Sequence, residues 1–328
     1  MLLIAFGTRP EYIKVKSIID NYKGDKKILF TGQHKDLCKD VDFDIQLEDN
    51  NTSESRLDNI FMNVLGQDKV FEDVTHVLVQ GDTSSVVAVA LASFNRGIKI
   101  IHLEAGLRTY DKQNPFPEES NRRIVSSIAD YHLCPTENNK QNLINEKIKD
   151  NIYVVGNTGL DNIDRSGIKY GNKILVTLHR RENHHWIDKF FKEINELAKD
   201  NRDLEFYIPL HPNPNVQKHK HILTDVKIID PLPHKELIDL VKECRFVISD
   251  SGGLQEECSF LNKKIIVCRK VTERPETIGT NSIICYSPED LNDIFLNINE
   301  DYKIDVDCPY GDGNSVEKII IILNKIIK

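Results

Sequence analysis

The sequence lacks several features that would place it in a common class. No apolar run approaches the roughly 18 residues that a membrane-spanning helix needs. The seven cysteines are scattered and include no CxxC pair, which argues against a zinc site or a disulfide framework and favours the reducing cytoplasm. The motifs GxGxxG, GxxxxGKS and GxxxxGKT are absent, so neither a dinucleotide cofactor nor a P-loop is indicated. We therefore expect no metal and no cofactor.

Positive charge is also in short supply. The chain has 43 lysines and arginines against 51 aspartates and glutamates, and the resulting net charge of −8 disfavours a general nucleic-acid binder. Apolar residues make up 40% of the chain and charged residues 29%, a balance typical of folded globular proteins. A length of 328 residues favours two domains.

What the sequence does contain is a regular alternation of short apolar strands with longer helical patterns. The first half predicts strands at residues 2–6, 27–30, 76–79 and 99–102, and helices at 11–22, 56–65 and 84–95. The second half predicts strands at residues 173–177, 205–209, 227–229, 245–249 and 264–267. This alternation predicts an α/β protein with two Rossmann-like domains that face each other across a cleft. We expect the domains to cover residues 1–160 and 161–310, followed by a C-terminal helix within residues 311–328.

Residues that directly follow the strands are the first candidates for a site, because open parallel sheets bind ligands beyond the carboxyl ends of their strands. Arg9 follows the first strand and precedes a predicted helix, whose N-terminus favours an anion. The alternative is that Arg9 is an ordinary surface arginine in the turn. Asp82 and Glu104 would bring two carboxylates to one edge for acid–base chemistry. The alternatives are that Asp82 caps a helix and that Glu104 pairs with Arg108.

Further candidates follow later strands. The segment PFPEE places Glu118 and Glu119 in the first turn of a helix, where their simplest role is to compensate its dipole. His179 and Arg180 follow the strand at 173–177 and suit a phosphate or proton-transfer site, with a solvated turn as the alternative. His211 follows the next strand, where it could equally cap a proline-rich turn.

The strongest local signal is SDSGGLQEE, in which a strand leads through a Ser-Gly-Gly turn into a helix. Gly252 and Gly253 let the backbone approach a ligand, and the N–H groups after Ser251 can hold a pyrophosphate. Glu257 lies one turn further, within reach of a ribose hydroxyl, and Arg274 adds positive charge. The residues alone therefore indicate a nucleotide-linked substrate and acid–base chemistry without a cofactor.

The motifs also carry a family resemblance. In order along the chain they are GTRPE, GQH, QGDT, LEAGLRT, PFPEESNRR, VGNTGLD, HRREN, SDSGGLQEE and TERPE. This series, which spans essentially the whole chain, resembles the non-hydrolysing UDP-N-acetylglucosamine 2-epimerases. The resemblance implies a glycosyltransferase-B-like pair of Rossmann domains whose final helix crosses back to the first domain. It also implies a cytoplasmic homodimer that binds a UDP-sugar, and a role in surface polysaccharide biosynthesis.

The implied activity is the reversible conversion of UDP-N-acetylglucosamine (UDP-GlcNAc) to UDP-N-acetylmannosamine (UDP-ManNAc). UDP is eliminated to give 2-acetamidoglucal, and then adds back with protonation on the other face of C2. The residues that match the family's catalytic groups are Asp82, Glu104, Glu118 and His179. Those that match its substrate and UDP contacts are Arg9, Lys14, Arg180, His211, Leu237, Ser251, Gly252, Gly253, Glu257 and Arg274.

Regulated members of the family hold a second UDP-GlcNAc, and part of that site is recognisable here. The matching residues are Gln33, Glu118, Arg180 and His211. Two further contacts, a Gln and an Arg in those members, align with Asp36 and approximately with Asn50. The alternative functions are epimerisation of a UDP-2-acetamido-2,6-dideoxy sugar and hydrolytic release of ManNAc and UDP. More distant alternatives are a glycosyltransferase of the same architecture and a catalytically silent UDP-sugar sensor.

Overall fold

A computed structural model describes residues 1–33, 42–47 and 55–327 of the chain. Asp36 and Asn50, which the family alignment singles out, lie outside the described residues. The chain divides into two compact units. The first unit comprises Met1–Asn162 together with Gly311–Lys328, and the second comprises Ile163–Tyr310. No helix in the described ranges combines the length and apolarity needed to cross a membrane.

The first unit is a parallel sheet with helices on both faces. Its described strands are β1 (Leu2–Phe6), β2 (Lys26–Phe30), β3 (Ile45–Gln46), β4 (His76–Gln80), β5 (Lys99–Leu103), β6 (Tyr131–Cys134) and β7 (Ile152–Val154). They lie in the order β3-β2-β1-β4-β5-β6-β7. Its described helices are α1 (Arg9–Asn21), α2 (Arg56–Leu65), α3 (Ser84–Asn95), α4 (Glu118–Ile128), α5 (Glu137–Asn145) and, from the end of the chain, α11 (Ser315–Ile326).

The apolar run of β1 is explained by burial on both faces of the sheet. Leu2 and Ile4 belong to one hydrophobic cluster, whereas Leu3 and Ala5 belong to another. Successive side chains of a strand point to opposite faces, so a strand covered on both sides needs apolar residues throughout. This explains why the strand could be predicted from composition.

The last helix packs into the core of the first unit. Its buried residues Ile319 and Leu323 share a cluster with Val15 and Ile18 of α1. Asp161 accepts a hydrogen bond at 2.6 Å from the N–H of Val316, in the first turn of α11. The carboxylate therefore satisfies a backbone donor that the helix itself leaves unpaired.

The second unit repeats the same plan. Its strands are β8 (Lys173–Thr177), β9 (Glu205–Pro209), β10 (Lys227–Ile229), β11 (Cys244–Ser249), β12 (Ile265–Val267) and β13 (Ser282–Ile284). They are parallel and lie in the order β10-β9-β8-β11-β12-β13. Its helices are α6 (Ile187–Asp200), α7 (Pro214–Gln217), α8 (His234–Glu243), α9 (Gly252–Phe260) and α10 (Leu291–Glu300). Numbered from its own first strand, each sheet contains the strand order 3-2-1-4-5-6 of the Rossmann fold.

Candidate active site

The first unit brings two of the predicted carboxylates to one edge of its sheet. Asp82 follows β4 and Glu104 follows β5, and these strands are hydrogen-bonded neighbours. Gly81 has a φ of 82°, so the chain turns directly after β4 with a conformation that suits glycine. The side chains that follow the two strands can therefore act on the same region of a ligand.

Asp82 is held by a guanidinium from another element. Its Oδ2 lies 2.8 Å from Nε and 2.7 Å from Nη2 of Arg122, on α4. The N-cap of α3 is Thr83, whose hydroxyl accepts from the N–H of Val86, so the alternative in which Asp82 caps this helix is wrong. The Asp82 side chain remains 24% exposed and is accessible to a substrate.

Glu104 is set deeper and contacts a different cation. One carboxylate oxygen accepts from Lys14 Nζ at 2.5 Å, and the other accepts from Gln80. Its φ of 67° lies in the left-handed region, which is uncommon for a residue other than glycine and often marks a functional position. Arg108 binds Glu146 through Nε and Nη2, at 2.8 and 2.7 Å, which is not the pairing with Glu104 that the alternative required.

The adjacent residues Glu118 and Glu119 have different surroundings. Glu119 is fully buried and accepts hydrogen bonds from the N–H groups of Thr109 and Tyr110 at 3.0 and 3.1 Å. It also lies 3.2 Å from Arg122 Nη1. Glu118 begins α4 and is half-buried. Glu119 therefore fixes the preceding loop, whereas Glu118 remains the candidate for chemistry.

Two other predicted residues of this unit lie at helix N-termini. Arg9 is exposed in the first turn of α1. Gln33 accepts hydrogen bonds from the N–H and the hydroxyl of Ser85, at 3.1 and 2.7 Å, in the first turn of α3. In the first turn of α1, Glu11 is buried and accepts from the N–H groups of Gly7 and Thr8, and burial raises the pKa of its carboxyl to about 7.

A buried histidine supports the turn that carries Asp82. His102, on β5, lies with Nε2 2.8 Å from the carbonyl oxygen of Gly81. Burial lowers the pKa of His102 to about 4, so the ring is neutral at physiological pH and donates from Nε2 to this oxygen. Sequence reasoning missed His102 and Arg122, although HLEAG and ESNRR contain them.

In the second unit, a carboxylate organises the segment that follows β8. Asp250 is fully buried and accepts from the N–H groups of His179 and Arg180, at 3.0 and 2.9 Å. Asn183 donates to the same carboxylate at 3.1 Å. The His179 ring stacks on that of His211, with centroids 5.1 Å apart and planes within 10°. The structure therefore brings His179, Arg180 and His211 together at the ends of adjacent strands.

The predicted phosphate loop forms the N-terminus of α9. Ser251 is its N-cap and accepts from the N–H of Leu254. A Cβ on Gly252 would lie 2.4 Å from Arg274 Nη1, whereas a Cβ on Gly253 would lie 3.9 Å from its nearest neighbour, Ser251 Oγ. Only Gly252 is therefore required by the close approach of another side chain.

Arg274 belongs to a buried network of charges. It contacts Glu256 at 2.6 Å and also pairs with Glu273, which lies 2.9 Å from Arg269. Arg269 in turn lies 2.8 Å from Glu182, in the turn after β8. Sequence reasoning missed the three glutamates, because each reads as an ordinary polar residue until its arginine partner is known.

Two predicted contacts lie around α8. Glu257 Oε1 lies 2.6 Å from Nε2 of His234, the first residue of that helix. Leu237 is half-buried, and its N–H donates to the carbonyl oxygen of Pro233 at 3.0 Å. The N–H of Leu237 is therefore already occupied within the helix.

Within the described ranges, no group of three or more His, Cys, Asp or Glu side chains is arranged to hold a metal ion. The polar groups of the first unit are instead carboxylates matched with Lys14 and Arg122. Those of the second unit are histidines, arginines and a helix N-terminus. Proton transfer and anion binding are the chemistries that these groups support.

Comparisons with known proteins agree with this chemistry. A family model described as UDP-N-acetylglucosamine 2-epimerase matches residues 17–324. A UDP-N-acetylglucosamine 2-epimerase of Campylobacter jejuni is 37% identical, over 99% of this chain and 97% of its own length. The crystal structure of UDP-GlcNAc 2-epimerase from Neisseria meningitidis bound to UDP-GlcNAc superposes with a TM-score of 0.88, at 34% identity and with 99% of each chain covered.

A more distant structure is similar in fold alone. MurG of Acinetobacter baumannii superposes with a TM-score of 0.60 at 11% identity, and 99% of each chain is covered. Together with the two parallel sheets, this likeness identifies the architecture as glycosyltransferase-B-like α/β. The predicted α/β class with two Rossmann-like sheets of the glycosyltransferase-B-like type is therefore confirmed.

Proposed function

Because the chain belongs to the UDP-N-acetylglucosamine 2-epimerase family, we propose that it interconverts UDP-GlcNAc and UDP-ManNAc by the non-hydrolysing route. The observation that carries the proposal is the pair of carboxylates at the ends of adjacent strands, Asp82 and Glu104, each with its own cation. Inversion at a C–H carbon needs one group that removes a proton and another that returns one from the opposite face. Glu118, half-buried at the start of α4, is the third acid–base candidate.

In the proposed reaction, a carboxylate takes the proton from C2 of the sugar. The electron pair of the C2–H bond forms the C1–C2 double bond, and the pair of the C1–O bond leaves with UDP. In the return step, the diphosphate oxygen attacks C1, and C2 takes a proton on its other face. Atoms and charges balance without an oxidant, and no water enters the reaction.

Most of the groups proposed to contact UDP belong to the second unit, and Arg9 and Lys14 belong to the first. The Ser251–Gly252–Gly253 N-terminus of α9 offers backbone N–H groups to the diphosphate, because this end of a helix attracts anions. Arg9, Lys14, Arg180 and Arg274 add positive charge, His179 and His211 face the same ligand, Glu257 binds the ribose, and the backbone near Leu237 meets the uracil. The relative from Neisseria meningitidis is described as bound to UDP-GlcNAc, which supports a UDP-sugar as the ligand.

The proposal extends to regulation, assembly and location. Gln33, Glu118, Arg180 and His211 match contacts of a second UDP-GlcNAc in regulated members, and we propose that they contact such a molecule here. We further propose a homodimer in the cytoplasm, as the family resemblance implies. Measuring the initial rate as a function of UDP-GlcNAc concentration tests the second UDP-GlcNAc. Equilibrium sedimentation tests the homodimer.

The decisive experiment is an incubation with UDP-GlcNAc in D2O, followed by proton and phosphorus NMR. We expect UDP-ManNAc to appear and deuterium to enter C2 of both UDP-sugars. Free ManNAc with an equal amount of UDP would instead show the hydrolysing reaction. If UDP-GlcNAc is inert even with a trace of UDP-ManNAc, while the 6-deoxy analogue reacts, the substrate is the UDP-2-acetamido-2,6-dideoxy sugar.

A further inference from the structure

Asp250 is a fully enclosed carboxylate beside the predicted ligand groups of the second unit. Its side chain has no exposed surface, and its oxygens accept from three donors on one short segment. These are the N–H of His179 at 3.0 Å, the N–H of Arg180 at 2.9 Å and Nδ2 of Asn183 at 3.1 Å. Asn183 also donates to the carbonyl oxygen of Cys268, so the segment is tied to the strand on the other side of β11.

A carboxylate is the side chain that this arrangement requires. Two ionised oxygens accept hydrogen bonds only, and here they meet two consecutive backbone N–H groups and one amide. Burying the charge is costly unless such donors surround it. An asparagine at position 250 could place its oxygen where Oδ2 lies, which accepts from all three donors. Its amide would then turn an N–H donor towards the N–H and Nδ1 of His179, which lie 3.2 and 3.5 Å from Oδ1.

The same carboxylate lies beside the imidazole of His179. Nδ1 of the ring is 3.5 Å from Asp250 Oδ1, and the face of the ring stacks on His211. Contacts of this kind are often long before a ligand binds and shorten in the complex. With Nδ1 directed to Asp250, Nε2 lies on the opposite edge of the ring and is available to a ligand. His184, the remaining ionisable ring here, contacts the carbonyl oxygen of His179 through Nε2.

We propose that Asp250 is a positioning residue that presents Nε2 of His179 and the N–H-anchored Arg180 to the diphosphate of the substrate. The inference rests on the proposed epimerase function and deepens it. A proton kept on Nδ1 by Asp250, with a second on Nε2, makes an imidazolium that donates a hydrogen bond to the diphosphate. Negative charge gathers on that group as the C1–O bond breaks, so this hydrogen bond strengthens in the transition state.

The test compares Asp250→Asn with a matched control in the same unit. Asn195, on α6, also accepts from two consecutive backbone N–H groups, those of Thr224 and Asp225, both at 2.8 Å. Asn195→Ala therefore disturbs a loop of similar construction that carries none of the proposed ligand groups. We expect Asp250→Asn to lower kcat by about 10- to 100-fold, as loss of supporting groups does elsewhere, with a smaller change in KM.

Calorimetry with UDP and UMP provides a readout that does not depend on turnover. We expect Asp250→Asn to weaken UDP binding by about tenfold while UMP binding changes by no more than about threefold, since UMP lacks the second phosphate. Asn195→Ala is expected to bind both nucleotides like the wild type. Equal losses for both nucleotides in Asp250→Asn would overturn the proposal, because they indicate general damage to the unit.

A double-mutant cycle separates positioning from a structural role. If Asp250 acts largely through His179, Asp250→Asn has a smaller effect on kcat and UDP affinity in a His179→Gln background than in the wild type, and the effect that remains is the part that passes through Arg180. Additive losses would contradict the proposal. If Asp250→Asn fails to fold, Asn183→Ala offers a milder test, because it removes one donor to the carboxylate. We expect this variant also to lose more affinity for UDP than for UMP, by a smaller factor.

Failure of the proposed function is distinguishable from failure of this inference. A wild-type protein that binds UDP more tightly than UMP but leaves UDP-GlcNAc unchanged contradicts the epimerase reaction alone. A wild-type protein that does not bind UDP overturns both statements. Normal epimerisation and UDP selectivity in a folded Asp250→Asn variant overturn only the role of Asp250.

Discussion

In the first unit, Asp82 and Glu104 each contact one cation and the half-buried Glu118 begins a helix, whereas in the second unit Asp250, Glu256 and Glu273 are almost fully enclosed. Carboxylates of the first kind retain accessible surface or a lysine partner that a substrate can displace. Those of the second kind have their oxygens occupied by arginines and N–H groups. The difference teaches that accessibility and partner type separate the carboxylates that are candidates for chemistry from those that hold a loop.

Glu119 shows that the distinction follows surroundings and is independent of the unit. It belongs to the first unit but accepts from two backbone N–H groups and contacts Arg122, as the enclosed carboxylates of the second unit do. Arg122 also binds Asp82, so one guanidinium joins a carboxylate of each kind. The packing of α4 therefore orients a candidate catalytic group through a purely structural one.

The largest expected effect is loss of a reacting carboxylate. Asp82→Asn and Glu104→Gln should each reduce kcat by about 1,000-fold, because a positioned acid or base contributes on this scale. UDP affinity should stay within about threefold, since neither carboxylate is itself a proposed UDP contact. Glu137→Gln, at an exposed position on α5, serves as the control. Full activity in either active-site variant would remove that carboxylate from the mechanism.

The neighbouring residues Glu118 and Glu119 provide the sharpest test of the comparison. Glu118→Gln should lower kcat by about 100-fold with little change in Tm, as expected for an acid–base group. Glu119→Gln should cost about 2 to 4 kcal/mol of stability, because its amide nitrogen would face one of the N–H donors from which the carboxylate accepts, and the buried Arg122 would lose a charge partner. The two measurements are the calorimetric Tm and kcat of both variants. A large loss of Tm in Glu118→Gln together with a loss of kcat alone in Glu119→Gln would refute the roles given to these two residues.

Glu11 tests how a buried carboxyl of the first unit responds to pH. Burial raises its pKa from 4.5 to about 7, against the opposing hydrogen bonds from Thr83, Gly7 and Thr8. Between pH 4.5 and 7 the folded state keeps a proton that the unfolded chain has lost, so this group's stability contribution falls as pH rises through that window. The loss should amount to about 3 kcal/mol, at about 1.4 kcal/mol for each pKa unit.

Replacing that carboxyl isolates its contribution. In Glu11→Gln, the amide oxygen can still accept from the N–H groups of Gly7 and Thr8, but the side chain no longer ionises. The free energy of unfolding should therefore decline less between pH 5 and 8 than in the wild type, as measured by denaturant titration at each pH. A parallel decline in both proteins would show that Glu11 is ionised throughout.

Much of the fold could be predicted because local pattern and tertiary burial coincide. The predicted helices at 56–65 and 84–95 and strands at 173–177 and 205–209 agree with the structure, and most other predicted elements differ only at their ends. β3, β6, β7 and β13 were not predicted, and β3, β7 and β13 are short strands that pair on one side only, although β10, which is also short and at an edge, was predicted at 227–229. Their strand character depends on a neighbour that a local pattern does not reveal.

The candidate site residues also divide into those that could be predicted from the sequence and those that could not. Positions after strands, such as Asp82, Glu104 and His179, could be read from the alternation of elements. The partners that hold them could not, because Arg122 is 40 residues from Asp82, and Asp250 is 71 from His179. Such pairs form only because the order of strands in the sheet brings distant loops together. Residue type alone does not show which of the many arginines or carboxylates is the partner.

The smallest expected effect concerns the two glycines of the α9 turn. Gly252→Ala should weaken UDP binding by about tenfold, because the added Cβ would lie 2.4 Å from Arg274 Nη1 and force the Arg274–Glu273 pair to shift. Gly253→Ala has 3.9 Å of space and should lose less affinity. Calorimetry with UDP measures both, and Tm checks that each variant is folded. Equal losses would mean that the ligand's approach to the backbone, and not the enclosed network behind it, requires glycine here.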